Sequence, residues 1–477
     1  MNRLLFILLF FMLRAVSAQV PFHEVSYQAN TGGLIIPKDL TYNVLFSEGD
    51  SVYTSTGKAA KAKGSHDMIL TIPSKNNTSV NLAVSHECND SSSVLGDGGG
   101  ISIVPLTKIN NEWSVAGKIY NIDFSTVGGT YNNCSGTLVP DKNTILTAEE
   151  GMPESNDLLN KKGNGYRDIS DFNGLKRYKN TGWMVEADPE SLKATQKLYS
   201  MGRFVHEDAL VMLDGKTVYL TDDFAPCVFF KFVAETRNDF SAGQLYAYKE
   251  SSLTDTSHWI KLPMQMDSLL QIRDVAMRMG ATYFLRNEWM TLVNNKMYIT
   301  ETGYDGFSTN NTYNSKPAKH LNAFNSKPGV IDHPYGSILE FDLITNEIKV
   351  LLNGGAGTKF PTKHFANPDA ITSVVINDKT YLIISEDIFN SDRGRASEAT
   401  LKNNTVGNEI FWLDLSIKNP TVDDLQRFVI APLGSETTGG TFIKGDNRYY
   451  FFNIQHPDKH NPAPFNKSCT VVIDLGK

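Results

Sequence analysis

The sequence predicts an all-β chain folded as a β-propeller, with insertions and a few short helices. The first observation is a recurrence of short runs rich in β-branched and aromatic residues. They cover 80–84, 101–105, 144–147, 218–221 and 228–233 in the first half, and 297–300, 338–343, 380–385, 410–415 and 449–454 in the second. Most lie close to Gly, Asn, Asp or Pro, as strands bounded by turns do. The second observation is length: 477 residues with no linker-like tract. Radial repetition lets an all-β domain grow to that size without one very large sheet. The third is a faint internal rhythm of strand-like runs that end in acids. Ile145-Leu146-Thr147-Ala148 leads into Glu149-Glu150, Val218-Tyr219-Leu220-Thr221 into Asp222-Asp223, and Leu382-Ile383-Ile384-Ser385 into Glu386-Asp387. Met297-Tyr298-Ile299-Thr300 leads into the single acid Glu301. Equivalent strands that each deliver a carboxylate to one place fit a repeat architecture. One amphipathic helix is predicted over 267–279, where Leu269, Ile272, Val275 and Met279 fall near helical spacing.

The N-terminus reads as an export leader over 1–18. Arg3 precedes an apolar run over 4–13, and Val16-Ser17-Ala18 puts small residues ahead of Gln19. That run is too short to cross a bilayer, which takes about 20 residues. The expectation is a single domain over 19–477, secreted or periplasmic, with no membrane span once the leader is removed. A hydrophobic content of 41% with 10% aromatics suits a well-buried core. The net charge of −7 is mild and offers no clustered basic face, so nucleic acid is not an expected partner. An acidic balance is compatible with metal cations. Four cysteines, Cys88, Cys134, Cys227 and Cys469, allow three full pairings, and spacing does not choose among them.

Several acids brought to one axis repel one another unless they are protonated or share cations. Carboxylate oxygens point to Ca²⁺, Mg²⁺, Mn²⁺ or Fe³⁺ rather than structural zinc. Gly202-Arg203-Phe204-Val205-His206-Glu207 and Val84-Ser85-His86-Glu87 each set His beside Glu. Arg286 and Glu288 stand two apart in a strand-like run, on the same face. An arginine next to a metal-binding glutamate can fork phosphate oxygens. Cys134, in the turn-prone run Asn132-Asn133-Cys134-Ser135-Gly136, is a candidate thiolate ligand or an ordinary buried thiol. No serine–histidine–acid arrangement stands out.

These motifs, taken in order, resemble the PhoX alkaline phosphatase family. Asn133-Cys134-Ser135-Gly136-Thr137, followed by the run ending Glu149-Glu150, is similar to its cysteine motif. Gly182-Trp183-Met184-Val185-Glu186-Ala187-Asp188-Pro189 resembles the next block, and the Gly202 to Glu207 run its glycine–arginine–phenylalanine signature. Arg286-Asn287-Glu288 is similar to its arginine–x–glutamate strand. Asn367-Pro368-Asp369 with Ser385-Glu386-Asp387, then Glu436-Thr437-Thr438-Gly439 with Gln455-His456-Pro457, resemble its later blocks.

The resemblance implies six blades, a central cluster of iron (Fe³⁺) and calcium (Ca²⁺), and hydrolysis of small-molecule phosphate monoesters by a monomer. It implies Cys134 as an iron ligand, with Glu149, Glu207 and Glu288 as carboxylate ligands shared among the metals. Asp369, Glu386 and Asp387 become calcium-ligand candidates, and Arg286 the residue that holds phosphate. Ser85 stands where the family has a phosphate-holding asparagine, and a hydroxyl cannot offer two amide N–H donors. The catalytic candidates are therefore Arg286, Ser85, Cys134 and Glu288. No arginine pair marks the leader, although many members carry one. The Ser85 change keeps open a phosphodiesterase or calcium-dependent lactonase on the same propeller; a non-catalytic metal-binding propeller is the other alternative.

Overall fold

Antiparallel pairing of the apolar runs builds six sheets around one axis. The computed structural model describes residues 20–476 apart from 31, 74–77, 89–91, 162–170, 253–255, 360–361 and 389–406, so the leader expected over 1–18 lies outside the described residues. The innermost strands are His66–Pro73, Asn133–Leu138, His206–Val211, Asn287–Val293, Pro368–Ile376 and Glu436–Ile443. Each touches the next in chain order, and the last touches the first. The result is a closed six-bladed propeller. The sixth blade takes its outermost strand from the other end of the chain: Thr41–Ser47 pairs antiparallel with Cys469–Asp474.

Of the predicted strand runs, 144–147, 338–343 and 410–415 each overrun an observed strand by one residue, 228–233 breaks at Phe229 between Cys227–Val228 and Phe230–Thr236, and the others fall within observed strands. The predicted helix is two short ones, Met266–Leu269 and Ile272–Arg278. Gln271 leaves the helical region between them, at φ −139° and ψ 38°. The second piece still buries Ile272, Ala276 and Met277 against the blades.

Strands and helices are held by apolar faces that interlock between blades. Leu146, Met184, Phe204, Leu220 and Phe230 form one such layer between the second and third blades. Each large side chain buried this way contributes about 1.5–3 kcal/mol. The segment ahead of the first strand packs on the fifth blade, where Phe22 lies edge-on to Trp412 at 5.4 Å. The four cysteines are all buried thiols.

One regularity positions the site. The first two strands of every blade share the same terminal pair, at the same end: His66 with His86, Asn133 with Glu149, His206 with Asp222, Asn287 with Glu301, Pro368 with Glu386, and Glu436 with Gln455. In the first five blades the register shifts immediately after that pair. Such bulges re-aim the side chains beside them.

A carboxylate pocket as candidate active site

Side chains alternate along a strand, so the residue after each terminal pair faces the opposite way from the pair itself. In the first five blades those residues on the first strands are Asp67, Cys134, Glu207, Glu288 and Asp369; past the second strands they are Glu87, Glu150, Asp223, Asp387 and His456, with Thr302 in the fourth blade, while in the sixth blade the pair itself, Glu436 with Gln455, faces the pocket. All of these except Cys134 and Thr302 line one pocket of about 260 Å³, joined by Arg286. Cys134 lies beneath it, its Sγ donating to the carbonyls of His206 and Glu207, both at 3.2 Å.

Nine carboxylates therefore share the pocket with one guanidinium. Burial first, and then mutual repulsion, push Glu87, Glu150, Glu207, Glu288, Asp369 and Glu436 well above the usual carboxylate range. Asp67 is pushed up to about 7, chiefly by burial. Asp223 is the exception. Burial raises it, but the Arg286 guanidinium outweighs burial and holds it below its ordinary value. Arg286 Nε donates to Asp223 Oδ1 at 2.7 Å and Nη2 to Oδ2 at 3.1 Å, a two-pronged pairing, and Nη2 lies 3.3 Å from Glu288 Oε1.

The structure brings Arg286, Glu207, Glu288, Asp369 and Asp387 into the pocket, with Cys134 under its floor. It turns three other candidates away. Glu149 points back into the blade, where Oε1 receives Lys197 Nζ at 2.8 Å and Thr130 Oγ1 at 3.0 Å. Glu386 accepts the backbone amides of Ala366 at 3.0 Å and Glu409 at 3.1 Å. Ser85 Oγ accepts from Met68 N and donates to the Cys134 carbonyl, both at 2.8 Å, so it ties the first blade to the second. Glu149 and Glu386 belong to the terminal pairs, and alternation gives the axis to their neighbours Glu150 and Asp387.

The sequence reading missed Asp67, Glu87, Glu150, Asp223, Glu436, Gln455 and His456 as pocket residues. For Glu150 and Asp223 the signal was present, because in each acidic doublet the second member lies on the axial face. Asp67, second in its strand, stands beside no acidic doublet and carries no such signal.

Three donor groups have ligand atoms within 4.8 Å of one another: Glu207, Glu288 and Asp369; Asp67, Cys134 and Glu207; and Asp387, Glu436 and His456. Glu207 serves two of them. Gln455 Oε1 is buried without a hydrogen-bond partner, although its Nε2 donates to Glu87. Crowded carboxylates held above their ordinary range and a stranded amide oxygen fit a site built for cations. The oxygen-rich groups suit hard ions, and the group with Cys134 suits a transition metal.

Among solved structures, the chain is similar to Pseudomonas fluorescens PhoX in complex with vanadate, a transition state analogue. The TM-score is 0.69 at 18% identity, over 95% of this chain and 97% of that one. It also aligns with Trypanosoma rangeli sialidase at a TM-score of 0.43 and 9% identity, over 92% of this chain and 60% of that one. No curated protein matches the sequence. The sequence model of the family described as alkaline phosphatase PhoX matches residues 112–458. That span takes in most of the chain and five of the six innermost strands whole, so the chain belongs to the alkaline phosphatase PhoX family and is a phosphatase.

Proposed function

We propose that this phosphatase hydrolyses phosphate monoesters in the axial pocket, outside the cytoplasm, with iron and calcium held by the pocket's acids and Cys134. The observation that carries the reading is a guanidinium fixed among carboxylates that need cations. Glu207, Glu288 and Asp369 would hold calcium, as would Asp387, Glu436 and His456; Asp67, Cys134 and Glu207 would hold iron. When bound, such cations neutralise phosphate charge and make a water acidic enough to attack near neutral pH.

The chain's own residues do the rest. Burial alone would lower the Arg286 pKa, but Asp223 and Glu288 raise it well above its ordinary value, so the guanidinium stays charged. Asp223 occupies Nε and one Nη2 hydrogen and fixes the guanidinium plane. Of the five N–H donors of an arginine, those on Nη1 are left to address phosphate oxygens. Charge that grows on those oxygens in the transition state meets a donor already in place. Export through the leader over 1–18 agrees with the described residues, in which no helix is long and apolar enough to cross a membrane.

The test is hydrolysis of an aryl phosphate by the mature protein in calcium, paired with elemental analysis. Glu207→Ala should abolish turnover and lower metal content while the fold is kept. Undiminished turnover in that variant would sink the assignment.

A further inference from the structure

Arg286 is a non-glycine residue with φ +62°. The left-handed region costs an L-residue on the order of 1–2 kcal/mol, and such backbone persists only where its surroundings over-determine it. Three backbone bonds contribute: Arg286 N to the Phe224 carbonyl at 3.0 Å, Thr302 N to the Arg286 carbonyl at 2.9 Å, and Gly303 N to the Leu285 carbonyl at 3.1 Å. The fourth is made by a side chain, since Leu285 N donates to Glu301 Oε1 at 3.0 Å.

Glu301 is fully buried at the end of Lys296–Glu301, and it is held from its other side. His320 Nε2 bonds its Oε2 at 2.7 Å, and His333 Nε2 lies 3.6 Å from the same oxygen. His320 rides on the short helix Lys319–Phe324, and the Phe324 ring lies against His333 at 3.8 Å, tilted by 36°. The other inward-turned acids do different work. Glu149 pairs with Lys197, Asp222 with Arg273, and Glu386 with the amides of Ala366 and Glu409. Of these four acids, Glu301 alone accepts an amide adjacent to Arg286.

We propose that Glu301, held by His320 and His333, is the positioning residue for Arg286: it locks the Leu285–Arg286 turn in the strained backbone that presents the guanidinium to phosphate. This rests on the reading of Arg286 as the phosphate-holding residue. The electrostatics agree. Burial raises Glu301, but His320 and His333 outweigh it and bring it down to about 2, while Glu301 draws His320 above its ordinary value against the effect of burial.

The experiment compares wild type, Glu301→Gln and His320→Gln in two readouts. One is steady-state hydrolysis of phenyl phosphate with inorganic phosphate as inhibitor. The other is amide hydrogen exchange over 282–288. Glu301→Gln should raise KM and the phosphate inhibition constant at least tenfold, with kcat falling less than threefold and metal content unchanged. Exchange over 282–288 should quicken at least tenfold, and His320→Gln should move both readouts the same way by less. KM within twofold of wild type in folded Glu301→Gln would overturn the proposal; if that variant does not fold, His320→Gln decides on the same criterion. If wild type hydrolyses no phosphomonoester, the functional reading fails, and exchange alone decides: unchanged exchange over 282–288 refutes the positioning role.

Discussion

The doublet Glu149-Glu150 allows the register of the whole site to be tested with two isosteric changes. Glu149→Gln removes the charge that faces Lys197, and both side chains are 0% exposed. Lys197 Nζ keeps the Asn180 carbonyl and a neutral amide oxygen but loses its paired carboxylate. Breaking a buried pair by removing one member costs about 3–5 kcal/mol, because a charge is left uncompensated. Unfolding entropy is about 2.1 cal/mol/K per residue. For one cooperative unit of 477 residues, each kcal/mol therefore moves Tm by about 1 °C, and the expected drop is about 3–5 °C. Glu150→Gln should behave in the opposite way. It removes one of nine crowded carboxylates, so the cation-free protein loses no stability. Its catalytic cost should be large: groups one shell out from a metal are worth about 10–100-fold, and Glu150 lines the pocket beside the metal groups, so a loss of that size in kcat/KM is expected. Calorimetry in chelator and initial rates on an aryl phosphate measure the two effects. A Glu149→Gln protein that keeps its Tm but loses its metal would refute the assignment of faces.

Other expectations follow from the same geometry. Cys134→Ser should lower transition-metal content selectively, read by elemental analysis, while calcium content and circular dichroism are retained. Chelation should lower Tm and calcium should restore it, since a ligand at 100 times its Kd adds about 2.7 kcal/mol to the folded state; a Tm indifferent to calcium would count against cation sites on the axis. The Glu301–His320 pair gives a pH window. Glu301 is lowered to about 2 from 4.5, so its contribution is complete above 4.5 and is lost as pH falls through about 2. His320 is raised from 6.5, so its contribution is complete below 6.5 and is lost as pH rises through the raised value. The stability gap between wild type and Glu301→Gln should therefore be widest between pH 4.5 and 6.5, with chemical denaturation across pH as the measurement.

Much of the fold could be read from the chain, because short β-rich runs with turns at both ends constrain local structure strongly. The strand-terminal acids could be read too, and so could Cys134, Glu207, Arg286 and Glu288, each embedded in a distinctive run. What could not be read from composition was which acid of a doublet faces the axis. That depends on where antiparallel register begins, and register is a tertiary property shared with the neighbouring strand. The first acid of each doublet closes the terminal pair and turns inward, as Glu149, Asp222 and Glu386 do. Asp67 was out of reach for another reason. It occupies the axial position of the first blade with no motif around it, and only closure of the ring brings it within 4.8 Å of the Cys134 and Glu207 ligand atoms.

The doublets thereby divide two tasks that a single acid could not combine. Apart from Asp223, which pairs with Arg286, an axial carboxylate has to stay open to cations, so neighbouring groups cannot satisfy it fully. An inward carboxylate is saturated by Lys197, Arg273, His320 or backbone amides. It therefore holds its strand end rigid while the next residue along carries the unsatisfied charge. Ser85 fits the same division. It stands one residue before the terminal pair's His86, and its hydroxyl bridges Met68 N and the Cys134 carbonyl. Ser85 is therefore a buried strut that does not line the axial pocket.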